Sequence, residues 1–90
     1  MILDSVIFVD SLPTLDIHGY DRETARVKID DFIKDSIKLR HKIVVIVHGY
    51  GQGILKATTK EALSENKNVL EYKLYYKNNG CTLALIQFDN

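Results

Sequence analysis

A carboxylate and an imidazole stand two residues apart in this sequence, at Asp16 and His18. Residues two apart on a strand point to the same side of a sheet, so the two side chains can cooperate. The carboxylate could orient the ring or help to hold a metal ion, and the imidazole could act as general base or acid because it titrates near neutral pH. The plainer alternative is that Asp16 caps the following turn and His18 hydrogen-bonds to backbone there.

A second histidine begins a glycine-rich segment, His48-Gly49-Tyr50-Gly51-Gln52-Gly53-Ile54-Leu55. Alternate glycines let the backbone approach a ligand closely, and the free N–H groups at a helix start attract anions. The segment is neither a Walker loop nor a dinucleotide fingerprint, because it lacks Gly-Lys-Ser/Thr and its glycine spacing differs. A tight connection without a ligand is the alternative, since glycine is the default residue wherever a positive φ is required.

Hydrophobic periodicity predicts the element order βαβαββ around these residues. Asp21 is expected to cap the first helix, and Asn78-Asn79-Gly80 is expected to form a hairpin turn. A short extra strand at 5–9 could lie in an N-terminal extension of residues 1–13, ahead of a main domain at 14–90. The main strands and helices are predicted, in chain order, at 14–18, 22–39, 43–47, 54–66, 70–77 and 82–88.

The element order predicts an α/β fold, more closely an α+β two-layer sandwich, with two helices packed on a mixed sheet. A strand, helix, strand unit pairs its strands in parallel through a right-handed crossover, and the final hairpin adds an antiparallel strand. Parallel neighbours would bring His18 and His48 to the same sheet edge, with Asp16 behind. A phosphodiester could then be held by the glycines and attacked by water or a ribose hydroxyl that one histidine activates.

Composition bounds the class of protein. With 90 residues the chain fits one domain, and 46% hydrophobic and 27% charged residues are typical of a globular fold and not of a disordered tail. Cys81 is the single cysteine, which excludes an intrachain disulfide and suits the reducing cytoplasm. No basic leader and no apolar run of roughly 20 residues is present, so export and membrane insertion are not expected.

Charge gives no general support for binding a polyanion, because twelve basic residues balance twelve acidic ones. Any nucleic-acid contact must therefore come from a local patch. Lys56 and Lys60, one turn apart on the second predicted helix, are the basic residues nearest the glycine segment. Arg40 and Lys42 are expected at a solvated helix end and could extend the patch.

Two further groups of residues are expected to be structural. Tyr72 and Tyr76 share a strand face with Leu70 and Leu74 and are predicted to pack in the core, whereas Tyr75 is the tyrosine predicted to be exposed. Cys81 is expected to pack near a strand start as a small hydrophobic residue.

These motifs together resemble those of the Smr (small MutS-related) family over residues 15–86. Leu15-Asp16-Ile17-His18-Gly19 is similar to the family's Leu, Asp, hydrophobic, His, Gly motif, and the glycine segment to its His-Gly-x-Gly-x-Gly-x-Leu loop. Asn79-Gly80-Cys81-Thr82-Leu83 resembles the closing Gly-x-Thr strand. Glu23 and Ala25 lie near the family's Glu-Ala pair but have Thr24 between them, and Tyr50 stands where a basic residue is common.

The resemblance implies a fold like the C-terminal domain of translation initiation factor three and a DNA-nicking or RNA-cleaving activity. It implies a catalytic role for Asp16 and His18 and a substrate-phosphate role for His48 with Gly49, Gly51 and Gly53. Together with the residue pattern, this makes Asp16, His18 and His48 the expected catalytic residues. The expected nucleic-acid or phosphate contacts are the segment Gly49-Tyr50-Gly51-Gln52-Gly53, Lys56, Lys60, Arg40 and Lys42. Magnesium or manganese is a possible cofactor, and some members act on ribosomes.

Two other functions stay open from the sequence alone. The first is a non-catalytic module that binds nucleic acid or a ribosomal surface through the same loop, which the zero net charge and the missing basic residue at position 50 favour. The second is a small-molecule phosphate binder, which would need a closed pocket that a 90-residue domain can scarcely enclose.

Overall fold

A computed structural model describes residues 3, 6, 9–51 and 53–88 of the chain. The described elements are β1 Thr14–Asp16, α1 Arg22–Lys38, β2 Ile43–Val47, α2 Ile54–Ser64, β3 Val69–Leu74 and β4 Cys81–Ile86. The predicted βαβαββ order is confirmed, and β2 has the predicted bounds. The predicted fold class, two helices with a mixed four-stranded sheet, is confirmed as well.

The strand order in the sheet is β1-β2-β4-β3. β1 pairs with β2 in parallel, with Leu15 opposite Ile46, and both remaining pairs are antiparallel. β1 and β2 therefore end at the same edge of the sheet. The loops that follow them, which carry His18 and His48, begin side by side.

The main core lies between the helices and one face of the sheet. On α1, Ala25, Ile29 and Ile33 recur every four residues and are buried, so one stripe of the helix faces inward. On the sheet, alternate residues such as Val44 and Ile46 of β2 point to this side. The other buried members of this core are Ile17, Ala62, Leu63, Ala84 and Ile86.

Charged side chains join the two helices at the surface of this layer. Arg26 of α1 donates to Glu61 at 2.9 Å and to Glu65 at 2.5 Å, and Arg22 donates to Glu61 at 3.1 Å. Asp21 occupies the N-cap position of α1, as predicted, but its side chain makes no capping hydrogen bond. The arginines fix α2 beside α1 through pairs that are largely exposed to water.

The opposite face of the sheet is also covered. Val45, Leu83 and Leu85 form a second apolar cluster there, and Leu3, Val6, Val9 and Leu12 of the N-terminal segment pack against it. Of the possible extra strand at 5–9, Ser5, Ile7 and Phe8 lie outside the described residues, and Val6 and Val9 do not lie in a strand. The segment therefore contributes apolar contacts to the second sheet face.

The predicted exposure of two tyrosines was wrong. Tyr75 is buried, at 5% exposure, whereas Tyr76 is 60% exposed. β3 ends at Leu74, so Tyr76 lies past the strand and is not held over the core. Tyr75 belongs to the second cluster, on a sheet face that the alternation pattern assigned to water. Alternation alone does not show that the N-terminal segment covers this face. Tyr72 does pack against the main core, as predicted.

Cys81 opens β4 as a buried residue, as predicted, and burial raises the pKa of its thiol. None of the helices in the described part of the chain is long and apolar enough to cross a membrane.

Candidate functional site

The Asp16–His18 pair forms at the end of β1. The Nδ1 of His18 lies 2.5 Å from Oδ1 of Asp16, and the same carboxylate oxygen accepts the backbone N–H of His18 at 3.0 Å. Leu15 and Ile17 face the main core, so Asp16 and His18 emerge on the other side of the strand. One carboxylate therefore fixes both the turn and the ring, which combines the two interpretations that the sequence left open.

The environment of this pair suits proton transfer. The hydrogen bond from His18 holds the pKa of Asp16 below its ordinary value, so the carboxylate stays ionised. An Nδ1–H that donates to a carboxylate leaves Nε2 as the acceptor of the neutral ring. The side chain of His18 is 69% exposed, so this acceptor is accessible to a substrate or to water.

His48 has the opposite environment. It is 4% exposed, its Nδ1–H donates to the carbonyl of Gly49 at 3.2 Å, and its Nε2 accepts the Thr82 hydroxyl at 2.9 Å. Burial lowers the pKa of His48, the hydrogen bond to Gly49 partly opposes this, and the nearby charge of Lys56 adds to the lowering, so the neutral ring is favoured. Both ring nitrogens are occupied by the protein, and His48 links β2 to β4.

The glycine segment is anchored to the β3–β4 hairpin. The N–H groups of His48 and Gly49 both donate to the carbonyl of Gly80, at 2.9 and 3.0 Å. Gly49 has φ +82°, and a Cβ built on it would lie 3.4 Å from the Cβ of His18. A residue with a side chain at position 49 would be strained by the positive φ, and its Cβ would reach van der Waals contact with His18, so the loop lies next to the Asp16–His18 pair.

The start of α2 has unpaired donors. Gly53 is its N-cap, with φ +86°, and the first helical hydrogen bond is donated by Ala57 to Gly53. The N–H groups of residues 54–56 therefore precede the helical ladder and carry the positive end of the helix dipole. The first turn of α2 contains Lys56 and no acidic residue. This end of α2 is suited to an anion.

These residues border one open cleft of about 750 Å³. It is lined by His18, His48, Gly49, Gly51 and Gly53, together with Tyr50 and Lys56. The prediction that parallel strands bring the two histidines to one place is therefore confirmed, and Asp16 lies behind His18 as expected. Gln52 was also predicted to contact nucleic acid, but it lies outside the described residues.

A groove of about 420 Å³ adjoins the cleft along α2. Gly53 and Lys56 line both hollows, and Lys60 lies one helical turn further along this groove. Tyr72 and Leu74 of β3 form its other wall. The two lysines predicted as phosphate contacts thus lie on one continuous surface with the glycine segment.

Arg40 and Lys42 are not part of this surface. They precede β2, whereas the glycine segment follows it, and five extended residues separate the two ends by about 16 Å. The guanidinium of Arg40 stacks instead on the ring of Phe88, 5.3 Å from its centroid. These two residues therefore do not extend the patch at the glycine segment, contrary to the expectation that they could.

Sequence analysis missed the role of Tyr20 and Asn78 in shaping the site. Tyr20 is 43% exposed and lines the cleft one residue after the turn at Gly19. Asn78, expected only as a turn residue, accepts a hydrogen bond from the hydroxyl of Tyr50. Neither residue belongs to a motif with a recognisable spacing, so only the three-dimensional arrangement reveals them.

A metal ion would find few protein ligands in this region. Among the residues that the structure describes, no three His, Cys, Asp or Glu side chains form a group that could hold one. Asp16 is the carboxylate nearest to His18, with 52% of its side chain exposed. The site therefore offers two separate carboxylates, Asp16 beside His18 and Asp21 in the cleft lining, and not a complete protein cage.

Sequence relatives match most of this chain. The chain is 37% identical over 77 residues to the endonuclease MutS2 of Aquifex aeolicus and 37% identical over 76 residues to that of Ligilactobacillus salivarius. Each match covers 84% of this chain and 10% of the relative. The chain thus spans about a tenth of the length of these curated relatives.

Solved structures share the fold. The Smr domain of Thermus thermophilus MutS2 superposes with a TM-score of 0.82 at 22% identity, over 84% of this chain and 99% of that one. YdaL, a stand-alone small MutS-related protein from Escherichia coli, gives 0.78 at 19% identity, over 82% and 63%. The sequence model of the Smr domain matches residues 15–86, which include both motifs and β4. This chain therefore belongs to the Smr domain family.

Proposed function

We propose that this domain is an endonuclease that cleaves phosphodiesters in DNA or RNA, with Asp16 and His18 as its catalytic pair. The observation that carries the proposal is the 2.5 Å contact between an ionised carboxylate and an exposed imidazole, directly beside a glycine segment suited to phosphate. The names of the MutS2 relatives, which are endonucleases, support the same class of reaction.

In this proposal His18 is the general base. Its Nδ1–H is held by Asp16, which keeps the accepting Nε2 directed away from the carboxylate and available to a water molecule or a ribose hydroxyl. Asp16 positions the ring and stabilises the imidazolium that forms when Nε2 takes the proton. The later return of that proton to the leaving oxygen would complete the reaction.

The glycine segment and α2 hold the phosphate. The unpaired N–H groups before Ala57 and the dipole of α2 stabilise negative charge that develops on the phosphate oxygens. Lys56 and Lys60 bind the neighbouring backbone phosphates along the groove. This local charge gives a polyanion a binding surface although the chain as a whole is neutral.

His48 is assigned a positioning role in place of the catalytic and phosphate-contact roles expected from the sequence. Its two ring nitrogens bind Gly49 and Thr82, and burial keeps the ring uncharged. The hydrogen bonds hold the first residue of the glycine segment at the end of β2. A substrate atom has no free nitrogen of His48 to contact in this arrangement.

Magnesium or manganese remains a hypothesis for the cofactor. Asp16 is the residue that would hold the ion, with substrate phosphates supplying further oxygen ligands, and the ion would supply charge stabilisation. The reducing compartment inferred from the single cysteine leads us to propose that the protein works in the cytoplasm. A ribosomal partner is a hypothesis of the same kind and rests on the family resemblance alone.

The test is a cleavage assay on three labelled substrates: single-stranded RNA, structured RNA and supercoiled DNA. Each is incubated with purified protein in magnesium, in manganese and in chelator. The proposal expects cleavage of at least one substrate by wild type. Comparison of the magnesium, manganese and chelator reactions shows whether cleavage requires a metal ion. Binding of all three without cleavage in any arm would contradict an endonuclease.

A non-catalytic nucleic-acid-binding module is the second candidate. The occupied nitrogens of His48 favour it, because they leave His18 as the one histidine of the cleft with a free acceptor. This candidate expects salt-dependent binding that His18→Ala leaves intact and that changes in the glycine segment abolish. Cleavage that is lost in His18→Ala would exclude it.

A further inference from the structure

The ring of Tyr50 contacts the β3–β4 hairpin although it is 76% exposed. Its hydroxyl donates a hydrogen bond to Oδ1 of Asn78, which also accepts the backbone N–H of Gly80 at 2.9 Å. A Cβ built on Gly80 would lie 3.3 Å from Cε2 of the same ring. The side-chain amide of Asn78 and the backbone of Gly80, both in the β3–β4 hairpin, therefore hold the Tyr50 ring in place.

This support leaves the rest of the ring open toward the site. A hollow of about 250 Å³ is lined by Tyr50 together with Gly49, Gly51, Gly53 and Lys56. The ring thus borders the segment that would hold a phosphate and the lysine next to it. Tyr50 is absent from both apolar clusters, so packing in the core does not account for its placement.

We propose that Tyr50 is a stacking platform for an unpaired nucleobase whose phosphate lies on the glycine segment. The inference rests on the proposed action on nucleic acid and names its substrate class: single strands, or duplexes with unpaired nucleotides. An aromatic face accepts the face of any base, and a preordered ring loses little freedom on stacking. In an intact duplex both faces of each base are covered by neighbouring pairs, so the ring has no base to stack on unless one is extruded.

The prediction separates stacking from phosphate binding through the choice of ligand. Affinity is measured by fluorescence anisotropy for a labelled oligo(dA) strand, for an abasic strand of equal length that keeps every phosphate, and for the oligo(dA)·oligo(dT) duplex. Tyr50→Ala is expected to bind oligo(dA) roughly 5- to 150-fold more weakly than wild type, the usual effect of removing one stacked base. Its affinity for the abasic strand and for the duplex is expected to match that of wild type.

Two further variants serve as controls. Tyr50→Phe keeps the aromatic face and is expected to retain most of the affinity for oligo(dA). Tyr76→Ala removes a tyrosine of similar exposure, 60%, that lies on the hairpin outside the cleft, and it should bind like wild type. Unfolding of each variant in urea shows that the fold is preserved.

Other outcomes overturn the inference in distinguishable ways. An equal loss of affinity for oligo(dA) and the abasic strand would show damage to the phosphate site, and unchanged binding of oligo(dA) by Tyr50→Ala would show that no base stacks there. Either result would leave the proposed function intact. A wild-type protein that binds neither the three DNA ligands nor an oligo(A) RNA strand of equal length would overturn the proposed function, and the stacking role with it.

Discussion

At the residue scale, two histidines at neighbouring strand ends differ because their surroundings differ. His18 is exposed and has one ring nitrogen bound to Asp16, whereas His48 is buried with both nitrogens bound to protein groups. Sequence motifs identify both as histidines before glycines and cannot assign different roles. Burial and hydrogen bonding make His18 a candidate base and His48 a structural link.

Replacing Asp16 by Asn should lower cleavage without unfolding the protein. An amide keeps the shape of the side chain but removes the negative charge that orients the His18 ring and stabilises its protonated form. We expect a loss of rate within the roughly 10²- to 10⁴-fold range of general acid–base catalysis. Single-turnover cleavage rates measure it, and a variant as fast as wild type would show that the carboxylate only caps the turn.

Stability should depend on pH through His48. Its pKa is lowered in the folded protein, so the unfolded chain takes up a proton first as the pH falls below the ordinary histidine value of about 6.5. Full stability is therefore present above that value and is lost below it, down to the lowered pKa of the folded state. Asp16, whose pKa is also lowered, loses its contribution only near and below its ordinary value of 3.8.

The measurement is urea unfolding of wild type and His48→Gln at about pH 7.5 and about pH 5.5. We expect wild type to lose more unfolding free energy than the variant between the two values, because glutamine does not titrate. Equal losses in both proteins would show that His48 is not held neutral by the fold.

At the element scale, the glycine segment lies beside the turn that follows β1. Gly49→Ala should destabilise the protein by about 1–2 kcal/mol, because φ +82° is unfavourable for a residue with a Cβ. The added methyl would reach only van der Waals contact with His18, so we expect a lower cleavage rate from the strained loop itself. Gly51→Ala is the matched control for stability, since Gly51 has no positive φ and its Cβ would meet no atom within 4 Å.

Urea unfolding and cleavage rates of the two alanine variants test this account. A Gly49→Ala protein as stable and as active as wild type would show that the loop and the Asp16–His18 pair are independent.

The elements themselves were largely predictable from the sequence. β-branched residues without alternation predicted β2, because a strand covered on both faces needs no polar side. The buried stripe of α1 followed from its four-residue spacing. Alternation failed at Tyr75, since it specifies which residues share a face but not whether another segment covers that face.

At the scale of the whole molecule, the second apolar cluster lies on the sheet face opposite the helices and meets the candidate site where Val47 lines the cleft. Leu3 packs in that cluster at 1% exposure, and the Smr domain match begins only at residue 15. Leu3→Ala should lower the unfolding free energy by about 2–5 kcal/mol, the usual cost of truncating a buried leucine. Urea unfolding measures the loss, and the cleavage rate of the folded variant should equal that of wild type.

An unchanged unfolding free energy in Leu3→Ala would show that the N-terminal segment contributes nothing to the sheet face that it covers. A lowered cleavage rate under conditions in which the variant is folded would instead show that packing in the second apolar cluster affects the candidate site.

The location of charge was the least predictable feature at this scale. Lys56 and Lys60 were predicted correctly to lie beside the glycine segment, because helical spacing determines their relative position. Arg40 and Lys42 are close to His48 in sequence, but the length of β2 carries them to the far edge of the sheet. Proximity along the chain was a poor guide to proximity in space across an extended strand.

The central claim is that His18 is the base of a phosphodiester-cleaving site. The most direct measurement compares single-turnover cleavage by wild type, His18→Gln and His41→Gln, the last as a matched histidine outside the cleft. We predict a loss of at least about 100-fold in His18→Gln, with binding and folding preserved, and a wild-type rate in His41→Gln. Cleavage by His18→Gln at the wild-type rate would contradict the account.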